Sequence, residues 1–300
     1  MGERFLHRPA LLEEVIELLD PAPGKIIVDA TIGGGGHAEE ILRRISPGGL
    51  LVGIDRDKES LEIAHQRLRS LEGQFKLINK NFRNLREIIL DLEIRGIDGI
   101  LFDLGISSIQ METKERGFSI KNTGPLDMRM DRNQYLTAKV LVDTLTEEEL
   151  SCLIRDFGEE RFHRRVARGI VEARKRSQIQ TTDELAIVIS KNIPYSSRRR
   201  KIHPATRTFQ ALRIKVNDEL SALEEVLNET PELLKKGGRL CVISFHSLED
   251  RIAKNVLKEF RAKGVFDILT KKPLRAKDEE VSGNPRVRSA KLRAAIKKQD

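Results

Sequence analysis

The first hundred residues alternate short apolar runs with amphipathic stretches. Four runs have the β-branched and aliphatic character of buried strands, and they cover residues 26–28, 50–54, 75–78 and 97–102. The stretches at 58–71 and 85–92 carry apolar residues at helical spacing. Because strands and helices alternate, we expect an α/β fold with a parallel sheet and helices on both faces.

The turn after the first predicted strand contains four consecutive glycines, Gly33 to Gly36, and helical sequence begins after His37. Glycine has no Cβ, so the turn can be tight and a ligand can approach the backbone closely. About 20 residues further on, Asp55 closes the second strand, where a carboxylate can accept hydrogen bonds from both hydroxyls of a ribose. This arrangement predicts a nucleoside-containing cofactor.

The glycine pattern leaves two cofactors open. Gly33, Gly35 and Ala38 fit the dinucleotide fingerprint with alanine in third place, which allows a nicotinamide cofactor. Asp29, just before the turn, favours a cationic cofactor such as S-adenosylmethionine. A carboxylate there would attract a sulfonium and an amino group, and it would repel a pyrophosphate.

Side chains that follow the predicted strands are expected to meet in one crevice, because ligands in such sheets bind outside the carboxyl ends of the strands. These residues are Asp29, Asp55, Phe82 and Asp103.

The pattern changes between residues 110 and 202, which lack clear strand runs and are rich in helix formers. Thr146 and Thr181 are each followed by acidic residues, which indicates a helix N-cap with negative charge in the first turn. We therefore predict an inserted helical substrate-recognition domain at 110–202.

Sheet-like sequence returns after the insertion. We predict a helix at 213–227, a strong buried strand at 239–245, and one or two further strands near the end, with residues 286–288 close to a sheet edge. The core of the protein is then built from residues 1–109 and 203–300.

The positive charge of the sequence indicates the kind of partner that the protein binds. The 300 residues include 54 Lys and Arg against 46 Asp and Glu, a net charge of +8, and cations crowd residues 161–176 and 198–201. A polyanionic partner is favoured, because Lys and Arg gain affinity by releasing counterions from phosphates. With no Trp and two Tyr, broad base-stacking platforms are not expected.

Other features narrow the class of protein. No apolar run approaches 18 residues and the N-terminus lacks a secretion signal, so we expect a cytoplasmic protein without a membrane span. The two cysteines have neither disulfide-framework nor metal-site spacing, and no metal site is predicted.

Two segments carry polar groups suited to chemistry. Residues 103–108 combine Asp103 with Ser107 and Ser108, which can orient an exocyclic amine or simply form a turn. His246 follows the last strong strand and can act in proton transfer, although a lone histidine is often structural.

Long segments of the chain, between His7 and about Ala295, resemble the bacterial small-subunit ribosomal RNA cytosine-N4 methyltransferases, the MraW family. The matching segments are residues 31–37, 103–108, 115–118, 124–131, 158–162, 203–210, 244–251 and 284–289. The resemblance implies a Rossmann-like methyltransferase core with a helical insertion. It implies methylation of the exocyclic N4 of a cytidine in the decoding region, with S-adenosylmethionine as cofactor and an assembled or nearly assembled small subunit as substrate.

The same resemblance implies a set of cofactor contacts in this sequence. They are Gly35, Gly36, His37, Asp55, Phe82, Asp103 and Gln110.

The implied reaction needs groups that orient a weakly nucleophilic amine and accept its proton, since the lone pair of N4 is delocalised into the cytosine ring. Our catalytic candidates are Asp103, Ser107, Ser108 and His246. A base within folded RNA must also be splayed out to reach them.

Two other function classes account for part of the sequence. A nicotinamide oxidoreductase explains the segment from Gly33 to Asp55 but gives no role to the basic insertion. A non-catalytic RNA-binding module explains the charge but leaves the glycine turn without a purpose.

Overall fold

The structure, a computed structural model, describes residues 9–194 and 202–298. The chain divides into two compact units. The first combines Met1–Ser107 with Leu220–Asp300, and the second is Ser108–Glu219.

The strands and helices are named here in chain order. The strands are β1 (Ile26–Asp29), β2 (Leu50–Asp55), β3 (Gln74–Asn79), β4 (Ile97–Asp103), β5 (Leu234–Ser244), β6 (Phe266–Ile268), β7 (Leu274–Arg275) and β8 (Lys291–Lys297). The helices are α1 (Leu12–Leu19), α2 (Gly36–Ile45), α3 (Lys58–Leu68), α4 (Leu85–Asp91), α5 (Ser108–Glu112), α6 (Ala138–Thr144), α7 (Glu147–Gly158), α8 (His163–Arg176), α9 (Thr182–Asn192), α10 (Thr206–Asn217), α11 (Glu219–Leu233), α12 (Ser247–Ala262) and α13 (Asp278–Gly283). No helix within residues 9–194 and 202–298 is long and apolar enough to cross a membrane.

The strands of the first unit form one sheet in the order β3-β2-β1-β4-β5-β8-β6, and β7 also pairs with β8. The pairs from β3 to β5 are parallel, and β8 runs antiparallel to its neighbours. The predicted parallel sheet is confirmed, and its Rossmann-like winding brings the ends of β1, β2 and β4 to one edge.

Apolar side chains cover both faces of this sheet. Ile27 and Val28 are adjacent in β1 and point to opposite faces, yet both are fully buried. Val28 packs in the cluster that includes Leu223 of α11, and Ile27 in the cluster that includes Leu42 of α2. Burying a side chain of this size contributes about 1.5–3 kcal/mol relative to leaving it exposed.

Near the end of the first unit, the described residues form three strands where one or two were expected, and the prediction that residues 286–288 lie near a sheet edge was wrong. Residues 286–288 lie in a 3₁₀ turn, Pro285–Ser289, in which Asn284 Oδ1 accepts a hydrogen bond from the Arg286 backbone N–H. The strand that follows, β8, is not at an edge, because it lies between β5 and β6.

The second unit is helical, and both predicted helix starts are confirmed. Thr146 and Glu149 form a capping box at α7, and Thr181 and Glu184 form one at α9. Each pairing satisfies backbone N–H groups that a helix start leaves without partners.

The second unit extends further than the predicted boundary at residue 202. The helix α10 packs against α7 and belongs to this unit. Gln210 Nε2 donates to the Phe157 carbonyl at 3.0 Å, and a Cβ at Gly158 would lie 2.6 Å from the Arg207 carbonyl oxygen. Glycine at 158 therefore permits the close approach of the two helices.

The predicted helix at 213–227 is two helices. Asp218 adopts a left-handed conformation, with φ +49°, and separates α10 from α11. Asn217 is buried, its Oδ1 accepts from the Met130 N–H, and its Nδ2 donates to the Met128 carbonyl. These two bonds fix the end of α10 to the loop at 128–130, so the helix stops there.

That loop is held from within by two arginines. Arg116 is buried and its Nη2 donates to the carbonyls of Arg129 and Met130 at 3.0 and 2.9 Å. The guanidinium of Arg129 binds both carboxylate oxygens of Asp127 at 2.7 Å. The polar residues of 124–131 thus serve as an internal scaffold.

Candidate active site

Three aspartates close the parallel strands β1, β2 and β4, as the sequence predicts. Asp29 is buried, and burial raises its pKa to about 7 although the Thr31 N–H donates to it at 3.3 Å. Burial also raises the pKa of Asp55, to about 6. The strand ends therefore form an acidic edge, in which Asp29 is buried and Asp55 and Asp103 are partly buried.

Asp55 holds the glycine turn in place. Its Oδ2 accepts from the Gly33 N–H at 2.9 Å, and its Oδ1 accepts from the Asp57 N–H at 2.8 Å. A Cβ at Gly33 would meet no described atom closer than 3.9 Å, so the turn is open on that side. One of the two nearest atoms there is the Cβ of Ser107, which places this predicted catalytic residue beside the turn.

Gly35 and Gly36 have packing roles as well. Gly35 is the N-cap of α2, with φ +79°, and a Cβ there would lie 3.3 Å from Ala64 Cα in α3. A Cβ at Gly36 would lie 3.2 Å from Pro9 Cβ. These glycines let α2 begin close to α3 and to Pro9. Close approach of a ligand to the turn does not by itself require this packing.

His37 and Asp103 meet at the end of β4. His37 is buried in the first turn of α2, its Nε2 lies 2.9 Å from the Ala10 carbonyl oxygen, and its Nδ1 lies 3.6 Å from Asp103 Oδ2. Asp103 Oδ1 is buried and makes no hydrogen bond within the described part of the chain. Burial raises the pKa of Asp103 well above its usual range, and the charges of Asp29 and Glu249 raise it further.

Phe82 begins a 3₁₀ turn, Phe82–Asn84, after β3. Its ring meets that of Phe102 edge to face, with centroids 5.8 Å apart. Because Phe102 directly precedes Asp103, this contact places Phe82 along the same edge of the sheet.

His246 is the N-cap of α12. The Glu249 N–H donates to its Nδ1 at 3.4 Å, and its Nε2 lies 3.0 Å from Glu249 Oε1. The ring is therefore held at the start of the helix, and the catalytic role stays a prediction.

Ser108 and Gln110 belong to the second unit, where they lie in α5 and Gln110 is buried. The first unit thus brings together Asp55 with the glycine turn, His37 with Asp103, and Ser107 with Gly33. The sequence predicts that the strand ends meet, but it does not show which atoms form these pairs.

Two further residues of this edge were missed from sequence. Thr31 Oγ1 accepts from the Asp103 N–H at 2.6 Å and fixes the end of β4. Glu249 is buried, and its Oε2 accepts from the N–H groups of Phe245 and His246 at 2.8 and 3.2 Å. The spacing of His246 and Glu249 is that of a capping box, which is the one signal that could have revealed Glu249.

The side chains at this edge suit a positively charged nucleoside cofactor better than a dinucleotide. The open glycine turn lies beside the carboxyl groups of Asp29, Asp55 and Asp103, which offer hydrogen-bond acceptors and negative charge. Within the described residues, Asp103 Oδ1 accepts no hydrogen bond. A pyrophosphate would be repelled by the same groups, which disfavours the nicotinamide alternative.

Comparison with known proteins agrees with this interpretation. The profile of the MraW methylase family matches residues 4–298. Ribosomal RNA small subunit methyltransferase H of Persephonella marina is 48% identical over 289 residues, which cover 96% of this chain and 98% of that protein. The protein of the same name from Halothermothrix orenii is 45% identical over 304 residues, covering 96% and 97% of the two chains.

Proposed function

This chain belongs to the MraW methylase family, and from that premise we propose that it methylates the exocyclic N4 of a cytidine in the decoding region of small-subunit ribosomal RNA. The methyl donor is S-adenosylmethionine, and the substrate is the assembled or nearly assembled subunit in the cytoplasm. The observation that supports this most directly is the acidic edge of Asp55, Asp29 and Asp103 beside the open glycine turn.

The residues of the first unit divide the work of holding the donor. In this proposal Asp55 holds the ribose hydroxyls, Phe82 lies in the adenine surroundings, Asp29 attracts the positive charge, and Asp103 is a further contact of the donor. Gly35, Gly36 and His37 shape the turn, and a contact of Gln110 with the donor stays a prediction from the resemblance. S-adenosylmethionine supplies an electrophilic methyl group on a positively charged sulfur.

The remaining residues act on the target base. Asp103 Oδ1 is buried and without a described partner, so it is suited to accept a hydrogen bond, and then a proton, from the cytosine amine. This contact localises the lone pair on N4, which is otherwise shared with the ring. Ser107 can orient the amine, a role for Ser108 stays a prediction from sequence, and His246 stays a candidate held by Glu249.

The reaction itself is tested with labelled S-adenosylmethionine and small subunits from cells that lack the gene. We expect one methyl group per subunit, located on N4 of a cytidine by mass spectrometry, and less turnover on protein-free RNA. Label on another base, or no label, would contradict the proposed activity. Equilibrium dialysis with NAD, which we expect not to bind, tests the oxidoreductase alternative.

Replacing Asp55 by Ala is expected to weaken S-adenosylmethionine binding by about 1–3 kcal/mol, because polar partners lose their hydrogen bonds. Asp55→Asn keeps one carbonyl oxygen as an acceptor, so its loss should be smaller. Titration calorimetry measures both variants, with Asp91→Ala on the exposed side of α4 as control. Equal affinity in Asp55→Ala and the parent protein would remove Asp55 from the donor site.

The RNA-facing surface that we propose for the insertion is the basic face of α8. Five exposed cations and Glu172 fall within an arc of about 120° on this helix. The cations are Arg164, Arg165, Arg168, Lys175 and Arg176. Val166, Ala167 and Ile170 are buried on the opposite face, so the basic side is directed to solvent. The run at 198–201, also predicted to be basic, lies outside the described residues.

Changing Arg164, Arg165 and Arg168 together to Gln is expected to weaken RNA binding and to flatten its salt dependence. Each lost phosphate contact lowers the slope of log K against log salt by about 0.7–0.9, so the triple variant should lose about 2–3. Fluorescence anisotropy at several salt concentrations measures the slope.

The matched control removes three exposed cations from α12 in the first unit, Lys254, Lys258 and Arg261. We expect its slope to stay at the parental value. An equal decrease in both variants would show a general charge effect, and no decrease in the α8 variant would identify that face as solvated surface only.

A further inference from the structure

The tautomer of His37 follows from its surroundings. Its Nε2 lies 2.9 Å from the Ala10 carbonyl oxygen, and a carbonyl can only accept. Nε2 therefore carries the ring proton, and Nδ1 of the neutral ring presents a lone pair. Burial lowers the pKa of His37 to about 4, which keeps the ring neutral in the cofactor-free protein.

That lone pair faces Asp103. Nδ1 lies 3.6 Å from Asp103 Oδ2, about half an ångström beyond a hydrogen bond. Two acceptors would repel each other at this separation, so the pair is stable when one proton lies between them. Burial and the nearby charges of Asp29 and Glu249 raise the pKa of Asp103, which favours its protonated form, and Nδ1 is an acceptor that faces Oδ2.

We propose that Asp103 and His37 form a proton-accepting pair, in which Asp103 Oδ1 takes the proton from N4 while Oδ2 passes its own proton to His37 Nδ1. This inference rests on the proposed function. N4 bonds to the methyl carbon as the carbon–sulfur bond breaks and leaves its electron pair on sulfur. The N4–H bond then breaks with its electrons returned to nitrogen, a bond from Oδ1 to hydrogen forms, and the proton on Oδ2 moves to Nδ1.

The pair keeps the charge of the acidic edge constant. Methyl transfer removes the positive charge of the donor, and the released proton restores that charge on the His37 ring. The charges of Asp29 and Glu249 act on Asp103, and both carboxyl groups are fixed by hydrogen bonds from backbone N–H groups. The charge of Arg67 in α3 is shared with Glu39, whose Oε2 lies 3.7 Å from Arg67 Nε.

In this scheme His37 is a positioning residue, because it acts on the substrate through Asp103. Two substitutions test the roles of its two ring nitrogens separately. Gln at position 37 can donate to the Ala10 carbonyl from a place similar to Nε2, but it has no group at Nδ1. Asn has an oxygen near the place of Nδ1 that accepts a hydrogen bond but cannot take a proton, and it does not reach Ala10.

We expect His37→Gln to bind S-adenosylmethionine within about twofold of the parent and to slow single-turnover methyl transfer by about 10²-fold. The pH dependence should also change. The parental rate should depend less on pH than the rate of His37→Gln, because the pair accepts a proton without prior ionisation of Asp103. In His37→Gln, Asp103 must first ionise, so the rate should rise with pH up to the pKa of Asp103.

A structural role alone would lower the rate of His37→Gln by one factor at every pH, and that result would overturn the proposal. So would a rate equal to the parent's. The reference is methylation of the cytidine by the parent protein. If the parent does not methylate it, the proposed function is refuted, and the pair of Asp103 and His37 is not the cause.

The ring itself provides a second measurement that needs no variant. In ¹⁵N-labelled parent protein at pH 7, the NMR chemical shifts of the two His37 ring nitrogens should show a proton on Nε2 and none on Nδ1. A proton on Nδ1 of the neutral ring would contradict the pair, whether or not His37→Gln folds.

Discussion

Asp103→Asn is expected to slow single-turnover methyl transfer by about 10³-fold, within the range that loss of a positioned acid–base group typically produces. The amide keeps the shape of the side chain, and the backbone bond from the Asp103 N–H to Thr31 Oγ1 is unchanged. What is lost is an oxygen that can take a proton. Rapid-quench assays with small subunits and excess enzyme measure the chemical step.

Ser107→Ala is the matched comparison, because it removes one hydroxyl at the same edge without removing a proton acceptor. We expect its rate to fall less than that of Asp103→Asn. If Asp103→Asn turned over at the parental rate, the proton would leave by another route, and both the role of Asp103 and the pair with His37 would be wrong.

Gly117→Ala is expected to lower the free energy of unfolding by about 2–5 kcal/mol, which combines left-handed strain with overpacking. Gly117 has φ +67°, and its added Cβ would overlap the Pro125 carbonyl oxygen and lie 2.9 Å from the Asp127 N–H nitrogen. The loop would have to move, although Arg116 and Arg129 bind it from inside.

Gly237→Ala serves as the control, since Gly237 has φ +76° but no described atom within 4 Å of an added Cβ. It should cost only the left-handed strain, about 1–2 kcal/mol. Urea unfolding followed by circular dichroism compares the two. Equal losses would show that the loop yields to the added methyl group, contrary to the rigid scaffold described above.

The strand ends were predictable because one short-range rule applies to all of them. Asp29, Asp55 and Asp103 each follow a run long enough for one buried strand, and parallel pairing then brings the three acids to one edge. The capping threonines of α7 and α9 were found for the same reason, since each cap depends on residues three positions apart.

Contacts between distant residues could not be predicted in this way. His37 and Asp103 are far apart in sequence, and no local pattern shows which ring nitrogen faces the carboxyl group. The end of α10 depends on Asn217 binding the loop at 128–130, so helical periodicity alone extended the helix too far. The interior position of β8 is likewise decided by pairing with β5 and β6.

The order of strands in the sheet has a consequence for synthesis of the protein. The strand β4 ends at Asp103, but its outer neighbour β5 begins only at Leu234, after the whole second unit has been made. At ~5–20 residues per second the ribosome leaves that edge of β4 without its partner for on the order of 10 s. An unpaired apolar strand edge is prone to aggregation during that time. Newly made chains should therefore depend on chaperones until residues 234–244 have emerged. Early folding of the helical unit would shorten the time that β5 needs to pair with β4.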